Sequence, residues 1–110
     1  MFEKNMRLSY LLDFYGELLS ERKRAVMDMY YNEDLSLAEI ASEIGISRQG
    51  ARDIIKKSED ELFFFEEKLG LAQKMSALRR HSENMLNLAK TAPLPKEVML
   101  EVEEIAKIIK

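Results

Sequence analysis

Between residues 47 and 57 the sequence reads SRQGARDIIKK, and four of those side chains are Lys or Arg. Arg48, Arg52 and Lys56 recur at four-residue steps, a spacing that places them on one face of a helix. A basic row of this kind neutralises phosphates, which supplies most of the affinity in nucleic-acid binding. Arginine can also hold guanine through paired hydrogen bonds, and the Gln49 amide can pair with adenine. Ser47 carries the hydroxyl expected of a helix N-cap, and Asp53 places one acceptor among the donors. The candidate nucleic-acid-binding residues are therefore Ser47, Arg48, Gln49, Arg52, Asp53, Lys56 and Lys57. Lys56 and Lys57 suit backbone contacts, and the earlier residues suit base edges, because the N-terminal residues of a recognition helix enter the groove.

Such a row is useful only if its helix has a fixed start and a fixed inward face. Residues 36–57, SLAEIASEIGISRQGARDIIKK, meet the demands of a helix-turn-helix, in which two helices cross steeply over a tight turn. Ile40 and Ile44 supply the inner face of the first helix, and Ala41 is the small residue at the crossing. Gly45 makes the turn, Ile46 plugs the gap, Ser47 caps the second helix, and Ala51 and Ile54 face back. The basic row then lies opposite Ala51 and Ile54. An ordinary helical hairpin with a glycine turn explains the apolar positions but not the local charge, since residues 46–58 sum to +3. Gly50 stands out, because glycine within a helix costs about 1 kcal/mol relative to alanine. Close approach of a backbone and simple tolerance in the first turn both account for it.

Hydrophobic spacing predicts helices along the rest of the chain. Met6, Tyr10, Leu11, Phe14 and Leu18 form a stripe over about 5–19, and Ser20 is a plausible cap for a second helix bearing Ala25, Val26, Met29 and Tyr30. Residues 32–35 read as a turn, and Ser36 with Glu39 forms a capping box. Ala51, Ile55, Leu62, Phe65 and Leu69, with Ser58 in register, predict one long helix over about 48–69. After Gly70 a fifth helix carries Leu71, Met75, Leu78, Met85 and Ala89 on one face, with Ser82 in register. Pro93 and Pro95 end it, and Val98, Val102, Ile105 and Ile109 mark a last helix. Nothing alternates convincingly at period two, so the expected fold class is all-α. The expected organisation is a helical domain over 1–69 and a C-terminal helical extension over 70–110, a candidate dimerisation segment.

Composition narrows the function. The 110 residues include 20 Asp plus Glu, 17 Lys plus Arg, one His and no Cys. Without cysteine there are no thiolate metal sites, Cys nucleophiles or disulfides. No nucleophile–base pair or Gly-rich phosphate loop appears, so the reading is a binding protein and not an enzyme, with no cofactor. The formal net charge of −3 argues at first against nucleic acid, whose binding domains tend to be basic. That total is a cancellation: residues 46–58 and 70–92 each carry +3, and acidic blocks offset them. No apolar run approaches the length of a membrane span, and the N-terminal residues lack a signal-peptide core. The expected location is the cytoplasm.

The run YYNEDLSLAEIASEIGISRQGARDIIKKSEDEL, Tyr30 to Leu62, resembles the YlxM family of small helix-turn-helix proteins of Gram-positive bacteria. The preceding LLDFYGELLSERKRAVMDMYY fits the same pattern, and the resemblance covers about residues 6–71. It implies a helix-turn-helix similar to region 4 of sigma-70-type factors, with a long recognition helix. It also implies an accessory role in the signal recognition particle pathway, with the particle's RNA or its GTPase as partner. The chain departs from the family's pattern at three positions. Arg52 and Leu35 stand where the family usually has aromatics, and Gly50 where it usually has alanine, so the candidate face is more basic and less aromatic here. A DNA-binding transcriptional regulator and a protein–protein adaptor remain the alternative functions.

Two further features bear on partners. Phe65 lies on the stripe of the long helix, whereas Phe63 and Phe64 must point elsewhere, towards either an intramolecular core or a second subunit in a homodimer. Glu59, Asp60, Glu61, Glu66 and Glu67 are expected to form a solvated face. Lys74, Arg79, Arg80 and Lys90 read as a solvated face or a second phosphate contact, and His81 as a surface residue.

Overall fold

A computed structural model describes residues 5–109. The first-turn amides of its helices, left without intrahelical partners, meet side chains near the predicted positions. Helix α1 (Met6–Tyr15) starts behind Asn5, whose side-chain oxygen accepts from the Arg7 amide at 2.8 Å. Helix α2 (Glu21–Tyr31) is capped by Ser20. Helix α3 (Leu37–Ile44) has the full capping box: the Glu39 amide donates to Ser36 Oγ at 3.1 Å, and the Ser36 amide donates to Glu39 Oε1 at 2.9 Å. Those contacts from Ser36 hold the Glu39 carboxyl below the usual carboxylate range. Helix α4 spans Arg48–Leu69, α5 Leu71–Leu88 and α6 Lys96–Ile108, and no strand occurs among the described residues.

The fold class is all-α, as the periodicity predicts, but the first helix is shorter than its stripe. After Tyr15 the backbone tightens into a 3-10 turn at Gly16–Leu18. That turn buries Leu19 and leaves Leu18 exposed. The buried line of α1 is Leu8, Leu11, Leu12 and Tyr15, whereas Met6 on the predicted stripe is exposed. Between α2 and α3, Asp34 takes a left-handed backbone conformation at φ 56°, which closes the predicted turn.

By contacts the chain divides into two compact units, Met1–Leu69 and Gly70–Lys110. In the first unit α1, α2 and α3 each pack on α4. Its core centres on Leu11, Val26, Met27, Ile40, Ile55 and Leu62, all at most 1% exposed. In the second unit α5 packs on α6. No helix among the described residues is long and apolar enough to cross a membrane.

The acidic residues of α4 depart from the expectation of a solvated face. Glu59 and Glu66 are buried and act as acceptors within the first unit. The Tyr31 hydroxyl donates to Glu59 Oε2 and the Tyr15 hydroxyl to Glu66 Oε1, each at 2.6 Å. Glu61 pairs with Lys23 at 2.8 Å, while Asp60 and Glu67 do face solvent. The two carboxylates lie seven residues apart, two helical turns, so both fall beside the buried line through Ser58 and Leu62. Burying a carboxylate is costly unless it is hydrogen-bonded, and the two tyrosines meet that requirement.

Burial, followed by the hydrogen bond and negative charge of Glu59, raises the Tyr31 hydroxyl well above the ordinary tyrosine range. A group whose folded pKa is raised lends stability that is complete below its unfolded pKa, near 10 for tyrosine. That stability is lost as pH rises from there towards the folded value. Denaturant unfolding of Tyr31→Phe should therefore show reduced stability at pH 8 and a weaker further decline above pH 10 than the unaltered chain. Identical alkaline slopes for the two proteins would contradict this assignment.

Candidate nucleic-acid interface

The candidate surface is assembled from the turn upward. Gly45 ends α3 in the left-handed conformation at φ 72°, and the Ile46 amide donates to Ala41 O at 3.0 Å. This is the Schellman closure that glycine permits most readily. Ile46, half-buried, follows at once, and Ser47 Oγ accepts from the Gly50 amide at 2.9 Å. The predicted cap and turn thus fix the first residue of α4 at Arg48. Gly50 now has a local reason. A methyl group there would sit 3.2 Å from Ser47 Oγ and 3.5 Å from the Ile46 side chain, so the close neighbours are the cap and the plug.

The inward face of α4 follows the predicted stripe and differs from the helix-turn-helix expectation by one residue. Ala51 is buried as predicted, but the second contact is Ile55, fully buried, and Ile54 is only half-buried. On the α3 side Ile40 and Ala41 are buried and Ile44 is half-buried. The buried line therefore runs through Ala51, Ile55, Ser58 and Leu62. At about 100° per residue, the row of Arg48, Arg52 and Lys56 lies roughly a quarter turn from that line and flanks the core instead of opposing it. The residues pointing most directly away from the core are Gln49, Asp53 and Lys57.

All seven candidate residues are exposed, so the structure brings them together on one accessible surface at the start of α4. Their internal contacts refine the picture. Gln49 Nε2 donates to Asp53 Oδ1 at 2.9 Å, which orients the Gln49 carbonyl oxygen and occupies one carboxylate oxygen. The sequence reading missed this pair, although the four-residue spacing carries the signal. The surface consists of a central Gln49–Asp53 pair with Arg48, Arg52 and Lys56 along one side and Lys57 beyond it.

The other candidate features separate. Phe65 packs on Tyr15 with ring centroids 5.9 Å apart, and Phe63 lies under the Arg7 guanidinium at 5.4 Å. Phe64 is the member of the run left largely exposed, with Lys68 Nζ 5.7 Å from its centroid. In the second basic block, Arg79 Nε donates to the Ile109 carbonyl at 2.7 Å. It satisfies a backbone acceptor at the end of α6 and so serves the hairpin. Lys74, Arg80, His81 and Lys90 are exposed.

Residues 2–105 match UPF0122, described as "Putative helix-turn-helix protein, YlxM / p13 like". The chain belongs to the UPF0122 family. Relatives agree. A UPF0122 protein of Clostridium kluyveri is 46% identical over 85 residues, 77% of each chain. One from Bacillus cereus (strain AH187) is 42% identical over 104 residues, 94% of each chain, and one from Bacillus anthracis (strain A0248) matches to the same extent. The family is a helix-turn-helix family, and α3, Gly45 and α4 form that motif in this UPF0122 chain.

Proposed function

We propose that this protein binds nucleic acid by laying the start of α4 in the groove of a duplex, as a cytoplasmic accessory of the signal recognition particle pathway. The observation that carries the binding role is the capped, exposed first turns of α4, where Arg48, Arg52, Lys56 and Lys57 surround the Gln49–Asp53 pair. Membership of a helix-turn-helix family supports the same role. The pathway rests on the resemblance of Tyr30–Leu62 to YlxM proteins, with the particle's RNA or its GTPase as partner.

A DNA-binding transcriptional regulator is the second reading, and a specific dimension favours it. The B-form major groove, about 12 Å wide, admits an α-helix, whereas the A-form major groove is too narrow for side chains to read. The adaptor reading has less to stand on, because Phe63 and Phe65 have partners within the first unit.

Titrating the full chain against signal recognition particle RNA and against random duplex DNA, at about 50 and about 200 mM salt, separates these readings. Salt-dependent binding is the expected result. Tighter binding to the RNA supports the pathway role, and tighter binding to DNA supports a regulator. Salt-independent or absent binding to both would remove the role assigned to α4.

A further inference from the structure

We propose that one face of the α5–α6 hairpin seats a second copy of this chain, with α5 of each copy lying along α6 of the other. The two helices meet through a narrow seam. Ser82 of α5 and Val102 and Ile109 of α6 are buried there. Leu86 and Ala106 are half-buried and complete the seam. Little apolar surface is covered, in a unit of about 40 residues without cysteine, a size at which oligomerisation is a common source of stability.

Beside the seam, α5 carries a second row at heptad spacing. Leu71, Lys74, Leu78, His81, Met85 and Leu88 follow one another at alternating three- and four-residue steps, all exposed. A corresponding row runs along α6 from the turn before it: Leu94, Val98, Glu101, Ile105 and Ile108, again all exposed. Each row is displaced from the seam by roughly a quarter turn, in the same rotational sense. The chain reverses between the helices, and Arg79 of α5 reaches the end of α6. In an antiparallel pair, rows displaced in the same sense lie on the same side. The hairpin therefore presents one continuous apolar face.

Its size fits a second copy. Judged from their fractional exposures, the apolar members of the two rows leave on the order of 700 Å² uncovered, against about 800 Å² per partner in a stable interface. Charge selects the pairing. Helix α5 carries a net +2 and α6 a net −2, counted over Leu71–Leu88 and Lys96–Ile108. Stacking like helix on like helix would oppose like charges, whereas α5 on α6 complements them.

Sedimentation of the full chain across about 1 to 200 µM should show a concentration-dependent dimer. Leu78→Glu and Ile105→Glu should each yield monomers with helical circular dichroism retained. Leu78 and Ile105 are both exposed and lie off the buried seam, so loss of the dimer with helicity retained is distinct from unfolding of the hairpin. A chain that stays monomeric across the range, or a Leu78→Glu variant that dimerises as tightly as the unaltered chain, would overturn the proposal. The outcome is independent of nucleic-acid binding.

Discussion

Replacing Arg48 and Arg52 together by alanine is expected to weaken binding to random duplex DNA by on the order of 100-fold at about 50 mM salt, and by only about 6- to 8-fold at about 200 mM. Both side chains are exposed on the first two turns of α4 and neither lies on its buried line. The loss should therefore appear without a change in helix content. The shrinking effect follows from counterion release. Each lost phosphate contact makes the dependence of log affinity on log salt shallower by about 0.9, so two contacts reduce the slope by about 2. A loss of the same size at both salt concentrations would mean that the arginines act through base edges or through folding. Unchanged affinity would remove them from the interface altogether. Electrophoretic mobility shift or fluorescence anisotropy at the two salt concentrations, with circular dichroism as control, distinguishes these outcomes.

Ile55→Ala is expected to destabilise the first unit by about 2–5 kcal/mol, the range for truncating a fully buried aliphatic side chain. A fall in Tm on the order of 10 °C or more should accompany it. Ile55 is fully buried on the helix that α1, α2 and α3 all share, so the vacated space borders several elements and cannot be closed by moving one of them. Its neighbour Ile54 is half-buried, and Ile54→Ala should cost distinctly less. The helix-turn-helix reading nominates Ile54 as the residue facing back onto α3, whereas the periodic stripe through Ala51, Ile55, Ser58 and Leu62 and the packing assign that burden to Ile55. Thermal and denaturant unfolding of the two variants side by side decide between the assignments. Equal losses would mean that the inward line of α4 is wrongly placed.

The same contrast recurs in three helices. In α1 the predicted stripe includes Met6 and Leu18, but the structure buries Leu8, Leu12 and Leu19 with Leu11. In α5 the predicted stripe includes Leu71, Leu78 and Met85, all exposed, whereas Met75 and Ala89 on it are half-buried and only Ser82, in register with it, is buried. In α4 the helix-turn-helix reading names Ile54, but the buried residue is Ile55, on the predicted stripe. Each of these helices is apolar over more than one face. Two stripes of equal periodicity then coexist, and spacing alone does not rank them.

Local chemistry needed no such arbitration. Ser20, Ser36, Gly45 and Ser47 act over one turn of chain, through hydrogen bonds to amides three or four residues away or through a backbone conformation open to glycine. Their effects are therefore readable from neighbouring residues. The order of helices, the helix-turn-helix and the clustering of positive charge at the start of α4 all follow from such signals. The directions in which the helices face do not, because they depend on what each helix meets across the core. The fate of Glu59 and Glu66 shows the same division. Their two-turn spacing is plain in the sequence, but only the approach of Tyr31 and Tyr15, 28 and 51 residues away in the chain, turns two charges expected in solvent into buried acceptors.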